Sequence, residues 1–311
     1  MKKVFIDGGA GTTGLRIAER LAGRSDLQIL TLPEEKRKDS EAKKIVMNEA
    51  DIVFLCLPDA AAVESATLVE NPNTVVIDAS TAHRTLQDWA YGFPELGAGF
   101  EKKVSTGKRI AVPGCHASGF IALVYPLIEA GLLEKDALLT CHSLTGYSGG
   151  GKGMIAEYAD ENRAHLLDAP QQYGTKQQHK HLKEMKAVTG LDDAPMFCPI
   201  VADFYSGMLV TVPLFKKQLK GTIEEVRRVY AEKYHDEIVY FDAQTEGDGK
   251  AGFASAVALE GKDCMRITVD GNDDRILLMA TYDNLGKGAS GAAIECMNIA
   301  LGLPKTTGLV L

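Results

Sequence analysis

The first part of the chain alternates short apolar runs with amphipathic segments, and this order constrains the fold more than any other feature. The apolar runs have the length and β-branched content of buried strands, whereas the segments between them carry apolar residues at helical spacing. Strands that are joined by helices run parallel, and helices then cover both faces of the sheet. The sequence therefore predicts a parallel-sheet α/β domain. The predicted strands are 3–7, 27–32, 51–57, 74–78 and 108–112, and the predicted helices between them are 15–21, 41–48 and 60–70.

A glycine-rich turn follows the first predicted strand. Gly9, Gly11 and Gly14 satisfy the spacing G-x-G-x-x-G, and a helix is predicted directly after them. Glycines here let the backbone turn tightly and approach a pyrophosphate, which the amino end of the helix then holds. A merely flexible turn is the alternative, but the flanking strand and helix are the context that a dinucleotide site requires. We therefore predict a Rossmann-type domain whose cofactor-binding residues are Gly8, Gly9, Gly11, Thr12, Thr13 and Gly14.

The residues after the second predicted strand leave the choice between NAD and NADP open. Glu34 lies twenty positions after Gly14, where an acid that binds the ribose hydroxyls of NAD would lie. Lys36, Arg37 and Lys38 follow at once, and their charges would suit the 2′-phosphate of NADP. A run of three charges is more often a solvated loop. Spacing alone does not decide between these interpretations.

Segment 111–120 places a cysteine between a predicted strand and a predicted helix. The strand ends at Pro113 and Gly114, Cys115 follows, and residues 119–130 carry apolar side chains at helical spacing. The amino end of a helix carries partial positive charge and exposed N–H groups, both of which favour a thiolate. A free cysteine is often simply buried in a core. The Pro-Gly turn favours exposure at the mouth of the sheet, so Cys115 is our candidate nucleophile.

The centre of the chain contributes a second glycine-rich loop and a polar segment with two histidines. Residues 138–144 are a predicted strand, and the run T-G-Y-S-G-G-G-K-G follows at 145–153. This loop, with Ser148 and Lys152, could present N–H groups and a cation to an anion, although a mobile surface loop is the alternative. It is not a Walker motif, because Gly153 follows Lys152. Residues 172–185 are predicted to form the polar start of a helix that carries His179 and His181.

Later segments indicate a second, α+β domain with a largely antiparallel sheet. Strands are predicted over 207–215, 238–241, 264–269 and 275–283, a helix over 223–234, and a hairpin turn at 270–274. A long helix is predicted over 284–301, and such a terminal helix often packs on the first domain. We therefore expect a discontinuous nucleotide-binding domain, residues 1–114 and 285–311. Residues 115–284 would form the catalytic and oligomerisation domain.

Composition narrows the class of protein. A chain of 311 residues is long enough for two domains with their own cores, and a net charge of −8 argues against a nucleic-acid-binding protein. Six cysteines without a C-x-x-C pair indicate neither a disulfide framework nor a zinc module, so we expect no metal. We find no signal peptide and no long apolar segment, so we expect a cytoplasmic protein that binds neither membranes nor nucleic acid.

Three motifs are informative in combination: the glycine turn, the P-G-C run at 113–115 and the D-N-L-G-K-G-A-S-G run at 283–291. Together they resemble those of the N-acetyl-γ-glutamyl-phosphate reductases, which are relatives of aspartate-semialdehyde dehydrogenase. The resemblance extends from residue 3 to residue 303, and includes Y-G-F-P-E-L at 91–96 and H-K-H at 179–181. The length is that of the shorter of the family's two types. One departure is S-T-A-H-R at 80–84, where long-type members read more like S-A-D-F-R.

This resemblance implies NADPH-dependent reduction of an acyl phosphate to an aldehyde in arginine biosynthesis, with a thioester on Cys115 and release of phosphate. It implies NADP as the cofactor, with Asn284 among its contacts, and a homodimer or homotetramer formed through the sheet of the second domain. Implied substrate contacts are Arg84, Ser148, Gly149 and His181. The alternatives are a related reductase of aspartyl phosphate or an aminoadipyl derivative and, more distantly, an NADP-sensing protein without activity.

The resemblance also places a working histidine at the first position of H-x-H, six residues after a tyrosine. Tyr173 and His179 have this spacing, so His179 is expected to act as acid and base. Residues i and i+2 of a helix do not share a face, so His179 and His181 are not both expected to point at Cys115. His116 is expected to lie in solvent at the turn, because neighbouring side chains diverge.

Overall fold

The computed structural model describes residues 1–243 and 248–311. The chain divides into two compact units. The first contains Met1–Gly114 and Ala289–Leu309, and the second contains Cys115–Gly288 and Val310–Leu311. Each unit has a sheet of its own. No helix in the described ranges is long and apolar enough to cross a membrane.

The sheet of the first unit is parallel throughout. Its strands are β1 Lys2–Asp7, β2 Leu27–Leu30, β3 Ile52–Leu55, β4 Val75–Asp78, β5 Ala90–Tyr91 and β6 Arg109–Ala111. They lie in the order β2-β1-β3-β4-β6-β5, with every neighbouring pair parallel. β3 and β4 are buried along their whole length, as strands covered on both faces must be. The predicted parallel-sheet architecture is therefore confirmed.

Helices complete both units. In chain order they are α1 Thr12–Ala22, α2 Ser40–Glu49, α3 Asp59–Thr67, α4 Ala98–Thr106, α5 Cys115–Glu129, α6 Gly151–Ala159, α7 His181–Thr189, α8 Ile223–Lys233 and α9 Gly291–Ala300. α1 buries Ile17 and Leu21, which are spaced as on one face of an amphipathic helix. Both side chains belong to a core that also contains Ile52 of β3 and Ile294 of α9. The last helix therefore forms part of the core of the first unit.

This last helix is shorter than the predicted helix over 284–301, because a π-helical turn, Gly286–Ser290, precedes it. The carboxylate of Asp283 accepts hydrogen bonds from the N–H groups of Leu285 at 2.7 Å and Gly286 at 3.1 Å. It thereby holds a tight turn where the helix was expected to begin. A Cβ at Gly286 would lie 2.0 Å from the carbonyl oxygen of Lys262, so the turn also requires a glycine.

The sheet of the second unit is mixed but mainly antiparallel. Its strands are β7 Thr140–Gly146, β8 Gln171–Gln172, β9 Met196–Ala202, β10 Met208–Phe215, β11 Val239–Phe241, β12 Met265–Gly271 and β13 Arg275–Tyr282. They lie in the order β11-β12-β13-β10-β7-β9-β8. The pairs β11–β12 and β7–β9 are parallel, and the other neighbours are antiparallel. The predicted α+β unit with a largely antiparallel sheet is confirmed, as is the hairpin between β12 and β13.

Helix α5 depends on side chains from elsewhere in the second unit. It contains Pro126, which has no N–H and therefore leaves the carbonyl oxygen of Ala122 without its helical partner. The hydroxyl of Tyr234 donates to that oxygen at 2.8 Å. The hydroxyl of Tyr230 donates to the carbonyl oxygen of Leu123. Buried tyrosine hydroxyls thus satisfy the helix backbone where the proline interrupts it.

Replacing Tyr234 by phenylalanine is expected to lower the free energy of unfolding by about 1–3 kcal/mol, because the Ala122 carbonyl would stay buried without its donor. Urea unfolding followed by circular dichroism measures this loss. Tyr125→Phe is the matched control, since the Tyr125 hydroxyl bonds Glu129 on the exposed side of the same helix. An equal loss in both variants would contradict the role given to Tyr234.

Candidate active site

Cys115 is the first residue of α5, and it follows β6 through the Val-Pro-Gly segment at 112–114. It therefore lies at a strand-to-helix turn. Its side chain is half-buried, whereas Cys141, Cys264 and Cys296 are buried. A nucleophilic thiol needs this combination, because the helix end favours the thiolate and partial exposure admits a substrate.

The expectation that His116 lies in solvent is wrong. Its side chain is buried, with 3% of its surface exposed. Its Nδ1 lies 2.6 Å from Oγ of Ser143 on β7, and its Nε2 lies 2.7 Å from the hydroxyl of Tyr173. The ring is therefore fixed at both nitrogens. No local pattern indicated this, since the two partners lie 27 and 57 positions away in the sequence.

His179 and His181 both lie against His116. Their ring centres are 5.9 Å and 5.5 Å from that of His116 and 4.8 Å from each other. Phe197 of β9 packs edge-on against His116 and His179, at 5.3 Å and 5.1 Å. The prediction that His179 and His181 do not both point at Cys115 stays a prediction, but its argument assumed that both lie in one helix. α7 begins at His181, so His179 lies in the preceding turn and the helical spacing does not apply.

Burial sets the protonation of these rings. It lowers the pKa of His116 to about 3, and repulsion from the His179 ring when that ring is protonated lowers this pKa further. Burial also lowers the pKa of His179, with a further contribution from Lys180. Both rings are therefore neutral at neutral pH. Nδ1 of His179 accepts a hydrogen bond from the His181 N–H at 3.3 Å, so neutral His179 carries its hydrogen on Nε2.

Cys115, His116 and His181 have the residue types of a metal site. One ligand atom of each lies within 4.8 Å of the others. A tetrahedral zinc ion with bonds of ~2.0–2.3 Å would hold such atoms about 3.3–3.7 Å apart. Both nitrogens of His116 are also engaged by Ser143 and Tyr173. The arrangement suits a thiol without a metal ion beside imidazoles better than a closed metal site, and the absence of a metal stays a prediction.

A second set of polar groups follows β7 and β13. Ser148 is 1% exposed, and its Oγ accepts a hydrogen bond from Nδ2 of Asn284 at 3.0 Å. Oδ1 of Asn284 accepts from the N–H of Gly207 at 2.9 Å. Gly149 is exposed, and a Cβ there would lie 3.5 Å from Nδ2 of Asn284. The three residues that the sequence singled out here are thus contiguous, and their ligand contacts stay predictions.

Two glycines of the turn between β1 and α1 are required by the fold itself. Gly8 has a φ of +85°, and a Cβ there would lie 2.3 Å from the carbonyl oxygen of Cys56. A Cβ at Gly14 would lie 2.6 Å from the carbonyl oxygen of Gly8. These glycines therefore let the turn pack against its own backbone and against the end of β3.

The other residues of this turn leave room for a ligand. A Cβ at Gly9 or Gly11 would meet nothing closer than 3.5 Å. Gly11 precedes α1 and offers no side-chain cap, so the first N–H groups of the helix, at Thr12 and Thr13, receive no hydrogen bond from a capping side chain. Open space beside an uncapped helix start fits a dinucleotide pyrophosphate.

Arg84, on the segment after β4, is largely buried. Its guanidinium donates to the carbonyl oxygens of Val112 at 2.8 Å and Ala79 at 3.1 Å. Beside it, Nδ1 of His83 lies 2.6 Å from the carboxylate of Asp78. Arg84 therefore ties this segment to the residue that follows β6. A substrate contact from Arg84 stays a prediction.

Mild alkylation with iodoacetamide is expected to modify Cys115 well before the other cysteines. Burial raises the pKa of Cys56 to about 12, and it raises the pKa of Cys141 and Cys264 as well. Peptide mapping after partial reaction gives the order of modification. Cys198 is the internal control, because it is half-buried like Cys115 but lies within strand β9. Faster modification of Cys198 would contradict an activated thiol at Cys115.

Replacing Gly11 by valine is expected to raise the KM for the dinucleotide about tenfold or more, since a branched side chain fills the space for the pyrophosphate. Steady-state kinetics should show a much smaller change in the KM for the second substrate. Gly23→Val is the control at the other end of α1, where a Cβ would meet nothing within 4 Å. Equal increases in both Michaelis constants would indicate misfolding instead. Gly14→Val is a poorer test, because it disturbs the turn itself.

Comparisons with known proteins match two separate family models to the two parts of the chain. Residues 3–100 match the family model described as the NAD binding domain of semialdehyde dehydrogenase, and residues 115–284 match the dimerisation domain of semialdehyde dehydrogenase. Among solved structures, aspartate semialdehyde dehydrogenase II of Vibrio cholerae has a TM-score of 0.72 at 17% identity, over 97% of this chain and 99% of that one. The enzyme from Francisella tularensis has a TM-score of 0.70 at 14% identity, over 96% and 99%. These structures show the fold.

Sequence relatives identify the family. The chain is 42% identical to N-acetyl-gamma-glutamyl-phosphate reductase 2 of a Nostoc species, over 99% of both chains. It is 43% identical to the N-acetyl-gamma-glutamyl-phosphate reductase of Brucella ovis, over 96% of this chain and 99% of the relative. The resemblance carried by the sequence motifs is thereby confirmed: this chain belongs to the N-acetyl-gamma-glutamyl-phosphate reductase family.

Proposed function

We propose that this protein reduces N-acetyl-γ-glutamyl phosphate to N-acetylglutamate 5-semialdehyde with NADPH and releases phosphate. The observation that carries the proposal is the thiol of Cys115 at the amino end of α5, beside His116 and His181, in a chain of this family. An acyl phosphate is short-lived in water and reacts readily with a thiolate. Capture of the acyl group on sulfur before reduction therefore suits this class of substrate.

The covalent step uses the thiolate of Cys115. Its sulfur attacks the acyl carbon and forms a C–S bond, while the C–O bond to phosphate breaks and phosphate leaves with the electron pair. The result is a thioester on Cys115. The turn before α1 would hold NADPH, which would supply the hydride for the thioester carbon. When the C–S bond then breaks, Cys115 leaves as a thiolate and the semialdehyde is released.

His179 and His181 have different roles in this proposal. A ring nitrogen of His181 lies within 4.8 Å of the Cys115 sulfur, where it can take the thiol proton. Neutral His179 carries its hydrogen on Nε2 and donates a hydrogen bond to the substrate oxygen as negative charge develops there. His116 stays neutral and holds its position between Ser143 and Tyr173.

Substrate and cofactor contacts complete the proposal. We assign Ser148 and Gly149 to the substrate and Asn284 to the cofactor, supported by the hydrogen bond that joins Asn284 to Ser148. Arg84 is assigned to the substrate as well. NADP rather than NAD is supported by the exposed cations that follow β2, where a Rossmann-type domain binds the adenosine ribose. Those cations are Lys36, Arg37 and Lys38.

The proposed assembly is a homodimer or homotetramer formed through the outer face of the second unit's sheet. Alternate residues of β10 and β13 are incompletely buried on that face and mostly apolar. Among them, Phe215 is 65% exposed and Leu277 is 40% exposed. A second copy would remove this apolar surface from water, and this part of the chain matches a dimerisation domain. A cytoplasmic location is supported by the six cysteines, which form no disulfide bonds with one another.

The reverse reaction tests the function, because it requires no acyl phosphate. Purified protein with N-acetylglutamate semialdehyde, phosphate and NADP should produce NADPH, and the rate should depend on phosphate. Cys115→Ala should abolish this rate while NADPH binding, measured by fluorescence, is retained. Faster turnover of aspartate semialdehyde would make the protein a related reductase. NADPH binding without phosphate-dependent turnover of either compound would make it a sensor.

His179→Asn and His181→Asn are expected to have separable effects. His179→Asn should lower kcat about a hundredfold or more, since it removes the hydrogen bond to the substrate oxygen, while Cys115 is alkylated at the wild-type rate. His181→Asn should slow both turnover and alkylation, because the thiol loses its base. Stopped-flow alkylation and steady-state kinetics measure the two effects. The assignment is reversed if His179→Asn impairs alkylation and His181→Asn leaves it intact.

A further inference from the structure

The hydroxyl of Tyr282 bridges the two backbone groups that close the first turn of α5. It donates to the carbonyl oxygen of Cys115 at 2.5 Å and accepts from the N–H of Gly119 at 3.0 Å. In a helix these two groups are partners, because each carbonyl accepts from the N–H four residues on. Tyr282 is the last residue of β13, an interior strand of its sheet, and its side chain is fully buried. A rigid element therefore holds the backbone of the candidate nucleophile.

Two glycines make room for this contact. A Cβ at Gly119 would lie 2.7 Å from the Tyr282 hydroxyl oxygen and 2.7 Å from Cγ2 of Val210. A Cβ at Gly288 would lie 3.2 Å from the Cβ of Cys115 and 3.5 Å from Cε2 of Tyr282. The chain at Gly288 thus lies close to both the cysteine and the tyrosine ring. A larger residue at Gly119 would displace the contact, and one at Gly288 would crowd the Cβ of Cys115.

We propose that Tyr282 is a positioning residue for the thiol chemistry: by holding the first turn of α5, it fixes the direction of the Cys115 side chain relative to the N–H groups of the helix. The inference rests on the proposed role of Cys115 as nucleophile. Reaction requires the sulfur to lie about 3–3.5 Å from the acyl carbon and to approach the carbonyl group from above its plane, so a small rotation of this turn changes the rate strongly.

The phenol can keep this role at every working pH. Burial raises the pKa of Tyr282 well above its usual value, and the charge of Cys115 adds to the effect. The hydroxyl therefore stays protonated and continues to donate to the Cys115 carbonyl while the thiol ionises.

Tyr234 offers a matched comparison. Its hydroxyl is also buried and also donates to a carbonyl oxygen of α5, that of Ala122, about two turns further along the helix. Removal of the Tyr234 hydroxyl loses its hydrogen bond to Ala122, and removal of the Tyr282 hydroxyl loses those to Cys115 and Gly119. A purely structural role therefore predicts a loss of stability at both positions and no change in the alkylation profile at either. Only the loss of the Tyr282 hydroxyl should change the reactivity of the Cys115 thiol.

The test is the pH profile of Cys115 alkylation in Tyr282→Phe and Tyr234→Phe, with kcat and KM measured alongside. Tyr282→Phe is expected to shift the profile to higher pH and to lower kcat about tenfold or more, with the KM for NADPH within about twofold of wild type. Tyr234→Phe should lose thermal stability but keep the wild-type profile and kcat. A wild-type profile and kcat in Tyr282→Phe would overturn the proposal, as would equal changes in both variants.

Gly119→Ala provides a second route if Tyr282→Phe does not fold. The added methyl group displaces the hydroxyl while Tyr282 itself is retained, so the same shift of the alkylation profile to higher pH is expected. An unchanged profile in Gly119→Ala would also overturn the proposal. Alkylation needs no substrate, so it reports on Tyr282 even if the reverse assay identifies a different acyl phosphate.

Discussion

Burial of the imidazoles around Cys115 decides what their nitrogens can do. A charged imidazole is less favourable where contact with solvent is reduced, so burial keeps His116 neutral and lowers the pKa of the half-buried His179. Protonated rings at these separations would repel one another. Neutral rings can instead accept and donate hydrogen bonds, which fixes His116 between Ser143 and Tyr173. The rings of His179 and His181 can then pack against it.

The candidate nucleophile is held by the sheet of the second unit. β7 supplies Ser143, which bonds His116, and β9 supplies Phe197, which packs against the imidazoles. β13 supplies Tyr282, whose hydroxyl binds the backbone of Cys115. β13 is also one of the two strands whose outer face is proposed to join two copies of the chain.

Features set by neighbouring residues could be predicted from the sequence, whereas features set by distant residues could not. The parallel sheet, the glycine turn and the position of Cys115 follow from local patterns. β9 gave no usable signal, because Pro199 interrupts its run and cannot donate to a ladder. The surroundings of His116 depend on side chains that only the tertiary fold brings to it. The π-helical turn before α9 depends on capping by Asp283.

Capture of the acyl group on sulfur is most directly tested by mixing the enzyme with N-acetyl-γ-glutamyl phosphate without NADPH and quenching in acid. The mechanism predicts release of one phosphate per active site and an acyl mass increase on the peptide that contains Cys115. Hydroxylamine should remove the added mass, and Cys115→Ala should show neither signal. Acylation of a different residue, or no acylation by enzyme that turns over with NADPH, would contradict a thioester on Cys115.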